Sequence, residues 1–486
     1  MAGSISRRCF TAGMAALPLA ANFASTSARA DARISAPMLR LSRYMSAAAS
    51  SPLPQEALDS TRQHVLDTFA AMISGSQLPP GRFALRFASG QISAPVATIV
   101  ASTFVRQSLD AAFVNAMLAQ SDETDDSHAP SQSHPGASIV PAALACAEQF
   151  GLDGDRFLRA VALGYDIGTR FSMALGTGDS ETPTHISTHA LAGTLGSAAA
   201  AGCAAGLTEQ QMRWLIDYAT QQASGIRTWR RDSDHIEKAF VFAGMPARNG
   251  VAAALLVQAG ATGVDDVLSG DYNFLSDYAP HADASRLTDQ LGTRYEVSRT
   301  NIKKWTVGSP IQAPLDALDL IRREHPFRAD QVRTVTVRLA SSEAMTVDDR
   351  AMPDINLQHM LAVMLIDGTA SFKAAHDKAR MGDAEVLKQR AKITLIRDPE
   401  LDKRLPARVA IVAVMLDDGR AYAQTVAAVR GTAQNPMSRG EVVTKCRDLI
   451  SPVLGPDQSS RLIDAVLHLE RLDAVVKLRP LLQRRP

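Results

Sequence analysis

Between Gly193 and Gly206 the chain reads GTLGSAAAAGCAAG. Side chains this small let one helix approach another almost backbone to backbone, because the distance between helix axes follows the residues at the contact. The run therefore predicts a central, tightly packed helix and commits its surroundings to a helical body. A phosphate-gripping glycine loop would need a preceding strand and a following Gly-Lys-Ser, and neither is present. The flanking segments agree. Ser108 to Gln120 places apolar residues at helical intervals. Ile139 to Phe150 carries Pro141 in its first turn and stops at Gly151, the expected Pro-early, Gly-late order. Asp155 to Ala174 reads as a further helix, and Thr208 is placed to cap the next.

After Gly292 the period shifts toward two. Gln331–Leu339 (QVRTVTVRL) alternates as a half-buried strand should, and Lys392–Ile396 and Arg408–Leu416 follow. Asp417-Asp418-Gly419-Arg420 predicts a hairpin turn into Ala421–Val426. Arg294–Arg299 (RYEVSR) also reads as a strand, and Asn356–Asp367 as an intervening helix. Glu441–Leu482 returns to helix and is expected to pack back on the first domain. With 486 residues, more than one domain is expected. The organisation predicted is a signal at 1–30, a helical domain at 31–290, a smaller α+β lid domain at 291–430, and returning helices at 431–486. The fold class is mainly α.

The net charge of +1 and an aromatic content of 5% argue against nucleic acid as a partner, which requires clustered cations and stacking surfaces. Ser6-Arg7-Arg8-Cys9-Phe10, the apolar stretch Ala12–Ala24 and Ala28-Arg29-Ala30 are ordered like a twin-arginine export signal. The expectation is a protein exported folded to the periplasm, with no membrane association once the signal is removed. A plain N-terminal arm is the alternative. Cys146, Cys203 and Cys446 lie in helical segments without C-x-x-C spacing, which suits buried small hydrophobes better than a metal site or disulfides.

Chemistry concentrates in four groups. Asp122-Glu123-Thr124-Asp125-Asp126-Ser127-His128, continuing to His134-Pro135-Gly136, joins two apolar helices and holds acid/base groups, unless it is only a solvated loop. Thr184 to His189 precedes the Gly/Ala-rich helix, where free amides favour anions; His185 or His189 there could hold a carboxylate, or the segment only caps the helix. Lys238 stands before the apolar Ala239–Ala243, either snorkelling or buried opposite an anion. Lys303-Lys304-Trp305 places two ammonium groups in a nearly neutral chain, although surface exposure is the commoner fate of lysine.

In this order DDSHAPSQSHPGASIVPAALACAE, GTLGSAAAAGCAAGL, QQASGI, EKAFVFAGMPARNG and TNIKKW ahead of SPIQAPLDAL resemble the MmgE/PrpD family. That family includes 2-methylcitrate dehydratase, cis-aconitate decarboxylase and iminodisuccinate epimerase. The resemblance implies a large helical domain with an α+β lid, a site in the cleft between them, a homodimer, and no metal or organic cofactor. It further implies that His134 transfers a proton and that Lys238 and Lys303 lie near substrate carboxylates. Asp126 matches the family's Asp-Asp pair, and Ser127 stands where threonine is common. His189 matches the histidine before the Gly-Thr helix after a short shift, with His185 as the other candidate. Glu123 replaces the usual aspartate. Gly308-Ser309-Pro310-Ile311-Gln312 replaces a histidine-containing segment, and His359 stands where tyrosine is frequent. Catalytic roles are thus expected for His134, Lys238, Lys303, Asp126 and His189, and substrate contacts for Glu123, Ser127, His185, Lys304 and His359.

The expected reaction is proton transfer next to a carboxylate of a small di- or tricarboxylic acid. Ammonium groups would stabilise the developing charge, and Asp126, Glu123 or both would orient His134. Loss of hydroxyl, loss of carbon dioxide and reprotonation remain open as outcomes. A metal-dependent hydrolase using Asp125, Asp126, His128, His134 and His189 lacks an H-E-x-x-H spacing. A non-catalytic periplasmic carboxylate-binding protein would be expected to alternate β and α, which the first half does not.

Overall fold

The computed structural model describes residues 34–176, 186–279 and 281–484. The export signal expected at 1–30, with Cys9, and the candidate His185 lie outside these residues.

The body is built from α1 (Ala36–Ala47), α2 (Gln55–Gly75), α3 (Pro79–Ser89), α4 (Ser108–Ala119), α5 (Gly136–Phe150), α6 (Gly154–Ala174), α7 (Thr188–Ala205), α8 (Glu209–Gln221) and α9 (Ile236–Gln258). A two-stranded ribbon, β1 (Ala97–Thr98) with β2 (Val105–Arg106), sits between α3 and α4. Helix α7 is the Gly/Ala-rich run. It packs against α5, α6 and α9 and is buried along almost its whole length. A Cβ added at Gly168 of α6 would stand 2.2 Å from the Ala192 carbonyl oxygen, so only glycine permits that approach. Helix α9 is apolar enough to cross a membrane by length and composition, yet 61% of its apolar window is buried inside the protein. It contains a π turn over Phe240–Gly244, a feature that recurs at functional sites.

The lid has its own core, running from Trp305 to Val429. Its sheet has the order β4 (Ile393–Arg397), β3 (Val332–Leu339), β5 (Ala410–Leu416), β6 (Ala421–Val426), with β3 and β4 parallel and the other pairs antiparallel. Ala410, Val412, Val414 and Leu416 of β5 alternate into the core. Helices α10 (Ser309–Glu324) and α12 (Leu357–Asp367) cover the sheet, while the shorter α11 (Ser341–Val347) and α13 (Phe372–His376) lie around them. Helices α14 (Arg439–Leu454) and α15 (Pro456–Leu467) return to α2, and their Val442, Leu449 and Leu462 join the core of the body.

One predicted strand is absent. Arg294–Arg299 is instead loop and a 3-10 turn over Glu296–Arg299. The cause is Glu296, which is fully buried and draws in Arg294 at 2.8 Å, Arg299 at 3.0 Å, His128 at 3.2 Å and Arg170 at 3.7 Å. Val297 and Ile302 pack in the body's core, so the change of core falls between Ile302 and Trp305.

Candidate active site between body and lid

The segment between α4 and α5 is not a solvated loop. Asp122, Glu123, Asp125 and Asp126 are each less than 5% exposed. A carboxylate so placed requires partners, and each of the four has them. Asp122 accepts from the Thr124 amide at 2.9 Å and hydroxyl at 2.6 Å, which folds the turn. Asp126 accepts from Tyr165 at 2.5 Å and from the Gly136 amide at 3.0 Å, and pairs with His64 Nδ1 at 2.8 Å. Burial works against its charge, but the His64 and Tyr165 contacts prevail and hold it below the usual carboxylate range. Asp126 therefore fixes the start of α5 and does not touch His134, contrary to the orienting role expected of it.

That role belongs geometrically to its neighbour. Asp125 Oδ2 lies 2.9 Å from His134 Nδ1, and Asp125 Oδ1 accepts from Lys303 Nζ at 3.3 Å. Lys303 also donates to the Glu123 carbonyl at 3.0 Å and lies 3.6 Å from its carboxylate. Glu123 in turn pairs with Lys238. One imidazole, two carboxylates and two ammonium groups thus form a continuous chain from the body to the first residues of the lid.

The electrostatics follow from burial. Burial lifts the Asp125 carboxyl to about 8, aided by Glu123 and Asp126 and opposed by Lys303. Burial, reinforced by Lys303, pushes His134 well below its ordinary value, which leaves it neutral. Burial opposes ionisation of Lys303 and Glu123 too. For Lys303, Asp125 and Glu123 outweigh it and hold the ammonium form; for Glu123, Lys238 and Lys303 do the same for the carboxylate.

His189 sits in the first turn of α7, behind the Ser187 cap. Its ring centroid is 5.0 Å from that of His134, and it stacks on Phe242 at 3.7 Å and 12°. Burial, then His134, keeps it neutral.

The remaining candidates divide. Ser127 exchanges backbone hydrogen bonds with Asn301 at 3.0 and 2.8 Å, which ties the acidic segment to the extended segment leading into Lys303. Ile302 extends that tie to Gly431, where φ is 96° and a Cβ would meet the Ile302 carbonyl oxygen at 1.9 Å. Lys304 is not with the site: it turns to Asp319 at 3.0 Å and Asp316 at 3.6 Å on α10 and lies over the Trp305 ring. His359 is buried in α12, and the charges acting on it are Arg390, Arg380 and Asp377; burial followed by the two arginines pushes it down to about 4. Lys304 is therefore not placed beside Lys238 and Lys303, while both ring nitrogens of His359 are buried without a hydrogen-bond partner among the described residues. Gln312, in the segment that replaces the family histidine, spends its amide on Trp305 and Val307. His128 is bound to Glu296 and Ser131, so the five residues of the hydrolase reading do not converge. Among the described residues no three His, Cys, Asp or Glu side chains form a metal-binding set.

Two further pairs cross the boundary. His235 Nε2 meets Asp354 of the lid at 3.0 Å, and His376 of α13 meets Asp122 at 3.0 Å. His235 holds a left-handed backbone, φ 63°, just before α9, a strained conformation for a non-glycine residue that persists only where surrounding structure enforces it. Beside His376, with ring centroids 4.3 Å apart, Phe372 of α13 packs against the body's core. His235 was visible in the sequence beside Lys238; Asp354 and His376 carried no local signal.

Residues 39–287 match the MmgE/PrpD N-terminal domain and residues 305–471 the MmgE/PrpD C-terminal domain. The chain is 25% identical over 451 residues to the cis-aconitate decarboxylase-like protein oryM of Aspergillus oryzae, covering 86% of this chain and 92% of that one. It is 23% identical over 453 residues to human cis-aconitate decarboxylase, covering 89% and 91%. It is 24% identical over 387 residues to the mouse cis-aconitate decarboxylase, covering 75% and 76%.

Proposed function

The chain belongs to the MmgE/PrpD family, and from that premise we propose that it is a lyase that moves a proton next to a carboxylate of a small di- or tricarboxylic acid. The observation that carries this reading is the buried sequence His134–Asp125–Lys303–Glu123–Lys238. The names of the relatives favour decarboxylation over dehydration or epimerisation.

The dyad can work in both directions. With Asp125 ionised, His134 donates Nδ1–H to it, and Nε2 presents a lone pair as base. With the proton on Asp125, the carboxyl donates to Nδ1, and Nε2 carries the N–H that an acid needs. Since Asp125 titrates near 8, both forms are populated around neutral pH. In a decarboxylation the bond to the leaving carboxylate breaks, and its electron pair stays on carbon. The adjacent carboxylate takes up charge beside Lys238 and Lys303, and Nε2–H delivers the proton. Removal from water strengthens each of these interactions.

Histidine 189 supports His134 as a neutral neighbour. Export by the twin-arginine route and assembly as a homodimer accompany this reading as proposals. Proton NMR in heavy water, with di- and tricarboxylic acids presented to the full chain, tests it: solvent exchange or carbon dioxide loss must appear and must vanish in His134→Ala. Tight binding of an acid without exchange or turnover would favour a binding protein instead.

A further inference from the structure

Behind the acidic segment lies a cation that the proposed chemistry does not use. Helix α14 turns Val442, Cys446, Leu449 and Ile450 into the protein, and Lys445 shares that buried face. Lysine is seldom buried unless it is paired. Its Nζ donates to Asp67 Oδ1 of α2 at 2.6 Å and to the Thr124 carbonyl oxygen at 3.1 Å. Asp67 is itself fully buried, and its second carboxylate oxygen has no hydrogen-bond partner among the described residues. Two apolar side chains of similar volume commonly hold elements together at least as well as a buried ion pair. Val442 and Leu449 already join α14 to the body's core, so fastening the helix is a poor account of this pair.

What the ammonium reaches is one peptide plane. The Thr124 carbonyl and the Asp125 amide belong to a single planar unit, so a donor on that oxygen limits the direction in which the Asp125 side chain leaves the backbone. The preceding unit is held as well: Lys303 donates to the Glu123 carbonyl at 3.0 Å, and the Thr124 amide donates to Asp122 Oδ1 at 2.9 Å. Two successive carbonyls thus each meet an ammonium, one from the root of the lid and one from the returning helix. They precede the carboxylate that stands 2.9 Å from His134 Nδ1, a contact that weakens steeply when its angle is lost. The ion pair of Lys445 is with Asp67, so its hold on the dyad runs through the backbone.

We infer that Lys445 is a positioning residue of the active site: held by Asp67, it pins the Thr124–Asp125 peptide and so aims Asp125 at His134. For its effect on turnover this rests on the proposed lyase reading. It also gives the returning helices a task, since they carry the cation on which the acidic segment rests.

Three variants of the full chain separate positioning from support of the fold. Lys445→Met removes the donor. Asp67→Leu with Lys445→Met replaces the whole pair by apolar side chains. Leu449→Ala loosens α14 without touching Thr124. Each is followed by urea unfolding, by kcat and KM, and by the imidazole nitrogen shifts of His134 in protein labelled with nitrogen-15 histidine. Those shifts report which ring nitrogen carries the proton, and the exchange with Asp125 near 8 must show in them. The charges acting on Asp125 are Lys303, Glu123, Asp126 and Lys238, and none of the variants replaces these.

The double variant should resist urea nearly as wild type does, yet lose about tenfold or more in kcat with KM changed less than about threefold, because a small misplacement of a reacting group costs rate. Its His134 exchange should move by about half a pH unit or more, or vanish. Lys445→Met should show the same losses and a lower stability, since Asp67 keeps a buried charge without its cation. Leu449→Ala should lower stability and leave kcat and the exchange unchanged. Whichever Lys445 variant folds decides the matter: wild-type kcat and wild-type exchange in it overturn the inference and leave the lyase reading intact. Equal losses of kcat and exchange in Leu449→Ala overturn it too. Should the wild type turn over no acid, the lyase reading falls, and the His134 exchange alone decides the positioning.

Discussion

In the body, Gly168 comes so near α7 that a Cβ would lie 2.2 Å from the Ala192 carbonyl oxygen, and one at Gly250 of α9 would lie 2.5 Å from the Ala198 amide nitrogen. In the lid, the interior is filled by Val335, Val412, Leu361 and Ile321, an ordinary side-chain core between a sheet and two helices. The body is therefore a frame of helices whose backbones fix one another, and it carries His134, His189, Lys238 and the acidic segment. The lid meets that frame through charged pairs, Lys303 at its root, Asp354 on His235 and His376 on Asp122, and through Phe372, which packs on the body's core. One half supplies a preorganised set of groups, and the other completes it through ionic contacts. Such a division lets the reacting groups keep their geometry while the boundary responds to ligand and pH.

The sharpest way to break this comparison is to remove one member from each half. His134→Asn keeps volume but loses the acid/base group, and kcat/KM should fall by about 10²–10⁴. Lys303→Met should cost at least as much in activity. It should also lower stability by about 3–5 kcal/mol, because Asp125 and Glu123 are left buried without their shared cation. Activity assays paired with urea unfolding separate the two. If Lys303→Met were stable and active, the lid would not be completing the site.

Next comes the packing contrast. Gly168→Val forces side-chain atoms onto a backbone carbonyl that cannot yield, and should cost about 3 kcal/mol or more. Ile321→Val in α10 removes one methylene from a side-chain core and should cost about 1 kcal/mol. Thermal unfolding of both variants reads the difference directly; equal shifts would show that the body is no more tightly constrained than the lid.

A smaller effect is expected at the boundary. Burial disfavours the charged form of His376, but Asp122 outweighs it and raises the group to about 8, while Asp354 raises His235 in the same way. Both values lie above those of unfolded histidine, near 6.5. The contribution of each pair is therefore complete below about pH 6.5 and is lost as pH rises through the folded value. For His376 the shift to about 8 corresponds to about 2 kcal/mol at most. Asp122 is held low, so the same contact also weakens in acid, below the ordinary aspartate range. Lid docking should be firmest from about pH 4 to 6.5, and the protection of α13 amides, measured against their intrinsic exchange rate at each pH, should fall between about pH 6.5 and 9. His376→Gln should flatten that profile; an unchanged profile would mean that the pair does not govern docking.

Much of this was legible in the chain. Periodicity located α4, and alternation located β3 and β5, whose one face is buried; the placement of Pro141 and Gly151 marked α5, and the run of small residues marked α7. The order of the family motifs brought His134, Lys238 and Lys303 together before any coordinates did. What could not be read was the direction in which neighbours point. Asp125 and Asp126 are adjacent, but one faces His134 and the other His64. RYEVSR alternates like a strand, yet the pull of buried Glu296 on three arginines and His128 turns it aside. His376 and Asp122 are far apart in sequence, and no periodicity links them.

The finest test lies in two consecutive lysines. Lys303 is 3% exposed and faces three acceptors in the acidic segment, whereas Lys304 points the other way, to Asp316 and Asp319 on the lid's own helix. The lid thus receives from one dipeptide a group for the site and a group for its own surface. Lys304→Ala should leave kcat and KM within about twofold, and lower stability by about 1–2 kcal/mol, because Asp316 and Asp319 are buried and lose a cation they share while keeping their other partners. Part of that loss would come from contact with the Trp305 ring, 4.3 Å from Lys304 Nζ. A large rise in KM for Lys304→Ala, with unfolding unchanged, would mean that the second ammonium swings into the cleft when substrate binds.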